Sequence, residues 1–203
     1  MGEVACLLSH HNVWSEIVNK RHNLTMILED DAEFILEFED FDFDNFEEDL
    51  KLVLNEFDQM GGELLYLGRK QMKDDLACEE CSHLVRPGLS HWTVGYMLTL
   101  EGAKKLLNTD ILQQVIPVDE YIPLMYNQQP MFKQWDDCLL RKHSSEILLN
   151  AFAARFALVK PRYDWLDLKY ESDTSESLYV IDEPMQDDEP VPEDYELLVY
   201  ENN

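Results

Sequence analysis

The sequence predicts one α/β domain over residues 1–176, a mixed sheet flanked by helices, followed by an acidic tail over 177–203. Three observations point to it. Apolar runs of strand length recur at residues 24–29, 64–67 and 92–100, with helically spaced apolar residues between them. The first run, Leu24-Thr25-Met26-Ile27-Leu28, ends abruptly in Glu29, Asp30 and Asp31, and the carboxyl ends of strands are where an open α/β sheet forms a ligand crevice. A chain of 203 residues with 45% hydrophobic content can bury one sizeable core and has room for little else.

Each element follows from its own pattern. Val4, Leu7, Leu8, Trp14, Ile17 and Val18 share most of one helical face, which predicts an amphipathic opening helix ending near Lys20-Arg21. Residues 24–29 follow as a buried strand. Between Glu29 and Asp49 stand twelve acids and no base, with Phe34, Phe38, Phe41, Phe43 and Phe46 interleaved. The rings read as core or lid packing and the charges as a solvated face, with Phe41-Asp42-Phe43-Asp44 as a short strand or extended loop. Residues 46–57 read as a helix stopped at Gly61-Gly62. A second strand over 64–67 carries Gly68-Arg69-Lys70 at its carboxyl end. Residues 92–100 form a third strand and 101–107 a helix with small residues toward the sheet. Pro117-Val118-Asp119-Glu120 opens a short helix through Tyr126, with proline and acids where a helix start favours them. Leu148 to Val159 is largely apolar.

Composition excludes several classes. Sixteen basic and 42 acidic residues give a formal charge of −26, which repels nucleic acid and anionic membrane and makes a divalent cation the natural counter-charge. No apolar run reaches the roughly 20 residues of a membrane span, and no basic-then-apolar leader precedes the first motif. Neither a Walker phosphate loop nor a Gly-x-Gly-x-x-Gly fingerprint occurs. Cys78-Glu79-Glu80-Cys81 with His83 falls short of a four-ligand zinc site, because Cys6 and Cys138 have no paired spacing. A loop disulfide or two free thiols remain. Ser9 and His10, adjacent on a helix, face different ways and cannot form a nucleophilic pair, and the register places His10 near Cys6 and Trp14 as a satisfied, partly buried histidine.

Three candidate groups carry alternatives. Glu29, Asp30 and Asp31 repel one another, which a hard cation bound through oxygen would relieve, although an acidic solvated loop has the same sequence. Arg69 and Lys70 match phosphate oxygens in geometry or charge, or are surface cations in a connection. Asp119 and Glu120 serve chemistry, or compensate a helix dipole.

The ordered set Gly2-Glu3-Val4-Ala5-Cys6-Leu7-Leu8-Ser9-His10, Trp14, Leu28-Glu29-Asp30-Asp31, Leu65-Tyr66-Leu67-Gly68-Arg69-Lys70, Trp92-Thr93-Val94-Gly95-Tyr96, Gly102-Ala103-Lys104-Lys105-Leu106-Leu107 and Pro117-Val118-Asp119-Glu120-Tyr121 resembles glycosyltransferase family 25. The likeness is to the second transferase domain of the procollagen galactosyltransferases and their cerebral endothelial cell adhesion paralogue, over most of residues 2–176. It implies a GT-A-like nucleotide-sugar transferase domain that uses UDP-galactose and Mn²⁺ and passes galactose, with inversion, to hydroxylysine in a collagen-like polypeptide. The resemblance assigns the metal to Asp31 with Glu29 and Asp30, an auxiliary metal contact to Asp167, diphosphate contact to Arg69 or Lys70, and acceptor or base work to Asp119 and Glu120. It also implies a first strand and helix upstream of Gly2-Glu3, so the domain is expected to be incomplete at its amino end. The endoplasmic reticulum lumen, where hydroxylysine is made, is the expected location of the intact protein.

One stretch departs from the family pattern. Tyr163 stands where the galactosyltransferases carry histidine, and Leu168-Lys169 replaces part of a Gly-Asp-Asp-Gly run, leaving Asp167 alone. This opens a second reading, a catalytically inactive paralogue acting as a binding or cell-adhesion module. From Glu171 to Asn203 there are twelve acids, no lysine or arginine and three prolines, a composition of disorder, with Tyr195 to Tyr200 apolar enough for an edge strand.

Overall fold

In the computed structural model, which describes residues 2–35, 46–109, 111–114, 116–126 and 149–162, the elements run α1 (Gly2–Lys20), β1 (Leu24–Leu28), β2 (Ala32–Phe34), α2 (Phe46–Gln59), β3 (Leu64–Gln71), β4 (Leu76–Ala77), β5 (Leu84–Arg86), β6 (Ser90–Thr99), α3 (Leu100–Leu107), α4 (Ile111–Gln114), α5 (Val118–Met125), β7 (Ala151–Ala154) and β8 (Val159–Pro161). Six strands form one sheet in the order β1-β6-β3-β7-β5-β4, and β2 and β8 form a separate antiparallel pair. The large sheet is mixed. β6 runs antiparallel to both β1 and β3, whereas β7 runs parallel to β3. The carboxyl ends of β1, β3 and β7 therefore share one edge of the sheet with the start of β6.

Side-chain alternation divides the core between two faces. Leu64, Tyr66, Tyr96, Leu98, Ala151 and Ala153 pack with Leu7, Trp14 and Ile17 of α1, Ala103 and Leu106 of α3, and Tyr121 of α5. Leu65, Leu67, Met97 and Phe152 point the other way, to Val53 and Phe57 of α2. Because both faces are covered, the first five residues of β3 are all buried, which is why this strand reads as an uninterrupted apolar run.

Local chemistry ends the helices. α1 stops at Arg21, whose φ of 56° turns the chain so that the N–H of His22 reaches the carbonyl of Ile17. α2 stops at Gly61, φ 59°, as the Gly61-Gly62 pair predicts. Thr99 caps α3, its Oγ1 accepting from the N–H of Gly102 at 3.1 Å.

Two expectations need correction. β1 is an outer strand that pairs only with β6 among the described residues, and Leu24 and Leu28 are 39% and 40% exposed, so the expected buried strand is buried chiefly at Ile27. The inner face of α1 is Leu7, His10, Trp14 and Ile17; Val4 and Leu8 face outward, because the buried stripe is narrower than the apolar pattern. Cys78 and Cys81 form a disulfide, and His83 pairs instead with Glu56 at 2.9 Å. The expectations at Phe38 to Asp44, Cys138, Tyr163, Asp167, Leu168 and the acidic tail lie outside the described residues.

A glycine seam fixes the segment that closes over the sheet. Gly68 of β3 and Gly95 of β6 face each other in register. Val159 lies across both, so close that a Cβ on Gly68 would stand 2.2 Å from the Val159 carbonyl oxygen and one on Gly95 would stand 3.1 Å from Val159 Cγ1. β8 then pairs with β2, and the Arg162 N–H reaches the Asp31 carbonyl at 2.7 Å. Gly68→Ala is expected to destabilise the domain by about 1–3 kcal/mol, because the obstacle is backbone rather than a movable side chain. Urea denaturation of parent and variant measures it.

Candidate active site

The shared edge of the sheet collects acidic groups that one strand alone could not bring together. α1 places His10 against it: His10 is 6% exposed, and its Nδ1 lies 2.8 Å from the hydroxyl of Tyr96 on β6. That hydroxyl also accepts from Trp14 Nε1 at 2.9 Å. The opposite ring atom, His10 Nε2, faces Glu29 Oε1 at 3.6 Å and Thr93 Oγ1 at 3.3 Å. Thr93 in turn donates to Glu29 at 2.5 Å. Burial raises the Glu29 carboxyl, but hydrogen bonds from His10 and Thr93 and the attraction of His10 outweigh it and hold the group below the usual range.

Glu29 therefore turns inward, away from Asp30 and Asp31. Among the described residues, one set of three metal-capable side chains lies within 4.8 Å of one another, and it is Cys6, His10 and Glu29 rather than the Glu29-Asp30-Asp31 triplet. Asp31 is different in kind. Its Oδ1 is buried without a hydrogen-bond partner, and burial together with the charges of Glu29 and Asp30 pushes its carboxyl up, against the pull of its own backbone N–H and of Arg162. An oxygen donor crowded by negative charge and lacking a proton donor suits a hard cation.

Asp119 and Glu120 sit at the start of α5, beside the start of β6. Glu120 is 2% exposed and its Oε1 lies 3.1 Å from His91 Nε2. Trp92 carries a φ of 63°, a strained value for a bulky residue, and donates its N–H to Asp119. Burial raises the Asp119 carboxyl above the usual range; His91, the Trp92 N–H and His10 oppose this and Glu29 adds to it. A buried, raised carboxyl beside a strained residue is more than a solvated helix-start acid would show.

The cations are mostly engaged. Arg69 is largely buried, donating to Ser90 Oγ at 2.8 Å and pairing with Asp75, so an anion at Arg69 would share it with that carboxylate. Lys70 lies over the Trp92 ring, 5.4 Å from its centroid. A cleft of about 150 Å³ at the ends of β3 and β7 is lined by Arg69, Asp75, Gln71 and Arg155. His91, Thr93, Asp75 and Arg155, which lie at this edge or line the cleft, were not among the candidates the sequence offered. The Trp92-Thr93-Val94-Gly95-Tyr96 motif was the available signal for Thr93, with His91 immediately before it.

A family model described as Glycosyltransferase family 25 (LPS biosynthesis protein) matches residues 1–122, a span that includes Glu29, Asp31, Arg69, Asp119 and Glu120. The chain is similar to a glycosyltransferase 25 family member of Anopheles gambiae, 36% identical over 195 residues, which are 95% of this chain and 31% of that protein. It is 33% identical over 181 residues to procollagen galactosyltransferase 2 of Homo sapiens, covering 87% of this chain and 27% of that one. It is also 36% identical over 180 residues to a Bos taurus protein named probable inactive glycosyltransferase 25 family member 3, covering 87% and 28%. The chain spans less than a third of the length of these relatives.

The raised Asp119 carboxyl has a consequence for stability. An acid whose folded value lies above its unfolded one favours folding while protonated and opposes it once ionised, so its contribution is lost as pH rises through the folded value. Asp119→Asn, which keeps an acceptor for the Trp92 N–H, is expected to be more stable than the parent near neutral pH. The advantage should disappear as pH falls toward the ordinary aspartate range. Denaturation midpoints measured across that range check the sign.

Proposed function

Because the chain belongs to glycosyltransferase family 25, we propose that the edge of its sheet is a GT-A-type transfer site that takes galactose from UDP-galactose to the hydroxyl of hydroxylysine in a collagen-like polypeptide, with inversion. The observation that carries this reading is the pairing, on one edge, of an unpartnered Asp31 oxygen with a raised Asp119 carboxyl beside the His91–Glu120 pair. Asp31, with Asp30 next to it, would hold a divalent cation, Mn²⁺ in this reading, because an all-oxygen donor set suits such ions. When bound, that ion neutralises charge developing on the departing diphosphate.

The remaining work belongs to the chain. Asp119 takes the proton of the acceptor hydroxyl as the glycosidic bond forms, and a carboxyl raised by burial is a stronger base than an ordinary one. His91 keeps Glu120 in place beside it. Arg69, Lys70 over Trp92, and Arg155 supply positive charge toward the diphosphate, with Asp75 setting the direction of the Arg69 fork. The Cys78–Cys81 disulfide supports residence of the intact protein in an oxidising compartment, the endoplasmic reticulum lumen in this proposal.

A second reading has its own support. The relative named inactive is as similar to this chain as the relatives named for transfer, and Tyr163 and Leu168-Lys169 depart from the family pattern near Asp167, the residue assigned an auxiliary metal contact. In that reading the same edge binds ligand without turnover, as an adhesion or binding module.

Titration calorimetry with Mn²⁺ and UDP-galactose tests the metal assignment. Asp31→Asn is expected to weaken Mn²⁺ binding at least about tenfold with the fold intact, since it removes the unpartnered donor. Equal binding by parent and variant would overturn it. For transfer to a hydroxylysine peptide, Asp119→Asn and Glu120→Gln should each lower the rate by roughly 10²–10⁴-fold while UDP affinity is kept. A parent that binds UDP-galactose and transfers nothing favours the binding module.

A further inference from the structure

We propose that Cys6, His10 and Glu29 form a second cation site, a three-ligand centre for a borderline-soft ion of the zinc type, separate from the oxygen-only site at Asp30 and Asp31. The ligand atoms of the three residues lie within 4.8 Å of one another, so a contraction of about 1 Å would bring them to the spacing of a tetrahedral centre. Sequence and fold each supply part of it. Cys6 and His10 are four residues apart on α1 and project from one helical face, while Glu29 arrives from the end of β1.

The surrounding groups are those a metal-bound histidine uses. Tyr96 holds His10 Nδ1 at 2.8 Å, which leaves Nε2 as the ligand and fixes the ring. Thr93 orients the Glu29 carboxylate in the same way. Sulfur, imidazole and carboxylate together select zinc over manganese, whose preference is for oxygen. Cys6 is only partly buried, which leaves the ion a route in from solvent.

The electrostatics agree with the geometry. Glu29, Asp119 and Glu3 place negative charge around the Cys6 sulfur, which a bound cation would offset. On binding, the S–H bond is exchanged for a sulfur–metal bond and the proton passes to solvent. Glu29 and His10 also act on Asp119, so an ion here lies within electrostatic reach of the proton acceptor proposed above.

Cobalt(II), titrated into chelator-treated protein, reports the site by colour, because a thiolate ligand gives charge-transfer absorption that an all-oxygen site lacks. The parent should take up roughly one equivalent with that absorption and release it to zinc. Cys6→Ser, a nearly isosteric change at a partly buried position, should abolish the band and lower zinc affinity at least about tenfold. Cys138→Ser and Asp31→Asn should leave both unchanged, which separates this centre from the Mn²⁺ reading. In the unmutated protein, zinc should slow alkylation of Cys6 by at least about tenfold, a readout that does not depend on any variant folding. No thiolate band in the folded parent, a band that survives Cys6→Ser, or alkylation indifferent to zinc would overturn the proposal.

Discussion

The hydroxyl of Tyr96 is the contact on which the arrangement of this edge depends. It is fully buried on β6 and reached from α1 by both Trp14 Nε1 and His10 Nδ1. A buried hydroxyl and two buried ring nitrogens each cost free energy if unpaired, and here each satisfies another. The helix can therefore dock in one register only. Once docked, His10 presents Nε2 to Glu29 and Thr93, and Glu29 is drawn inward from the end of β1. Asp30 and Asp31 are left at the tip, where the chain turns into β2.

A second constraint comes from the other face. Gly68 and Gly95 leave a strip of bare backbone on which Val159 lies, and from there β8 runs along β2 to bring Arg162 beside Asp31. Asp31 is thus confined by tertiary structure on both sides. Burial and the neighbouring charges of Glu29 and Asp30 raise its carboxyl, and its Oδ1 is buried without a hydrogen-bond partner. The basic residues nearest the cleft are already committed, Arg69 to Asp75 and Ser90, and Lys70 to the Trp92 ring.

Asp119 and Glu120 show how tertiary surroundings can outweigh a local preference. Two acids after Pro117 are what a helix start favours, and they do open α5. The same start abuts His91 and the left-handed turn at Trp92, so burial and ring contact, rather than the helix dipole, dominate their surroundings. At Asp119 burial favours the neutral form, so an uncharged side chain of the same shape would fit the folded protein better near neutral pH.

The sequence by itself determined the elements whose period is long enough to be unambiguous. α1, α2, α3 and α5, the strands β1, β3 and β6, and the clustering of acids after Leu28 were legible because hydrophobic period and flanking turn residues agree. The ordered motifs made the family legible too, since their joint spacing is far more restrictive than any one of them. Tertiary structure alone decided the rest. β7, Ala151-Phe152-Ala153-Ala154, has too little bulk to announce a strand, yet it is the neighbour of β3 because small residues suit a face covered by helices. The outer position of β1, the inward turn of Glu29, the pairing of Arg69 with Asp75 and the approach of His91 to Glu120 each join residues that local pattern cannot connect. A sequence shows which side chains are acidic; only the packing of α1 and α5 on β6 shows which of those acids are buried and which have partners.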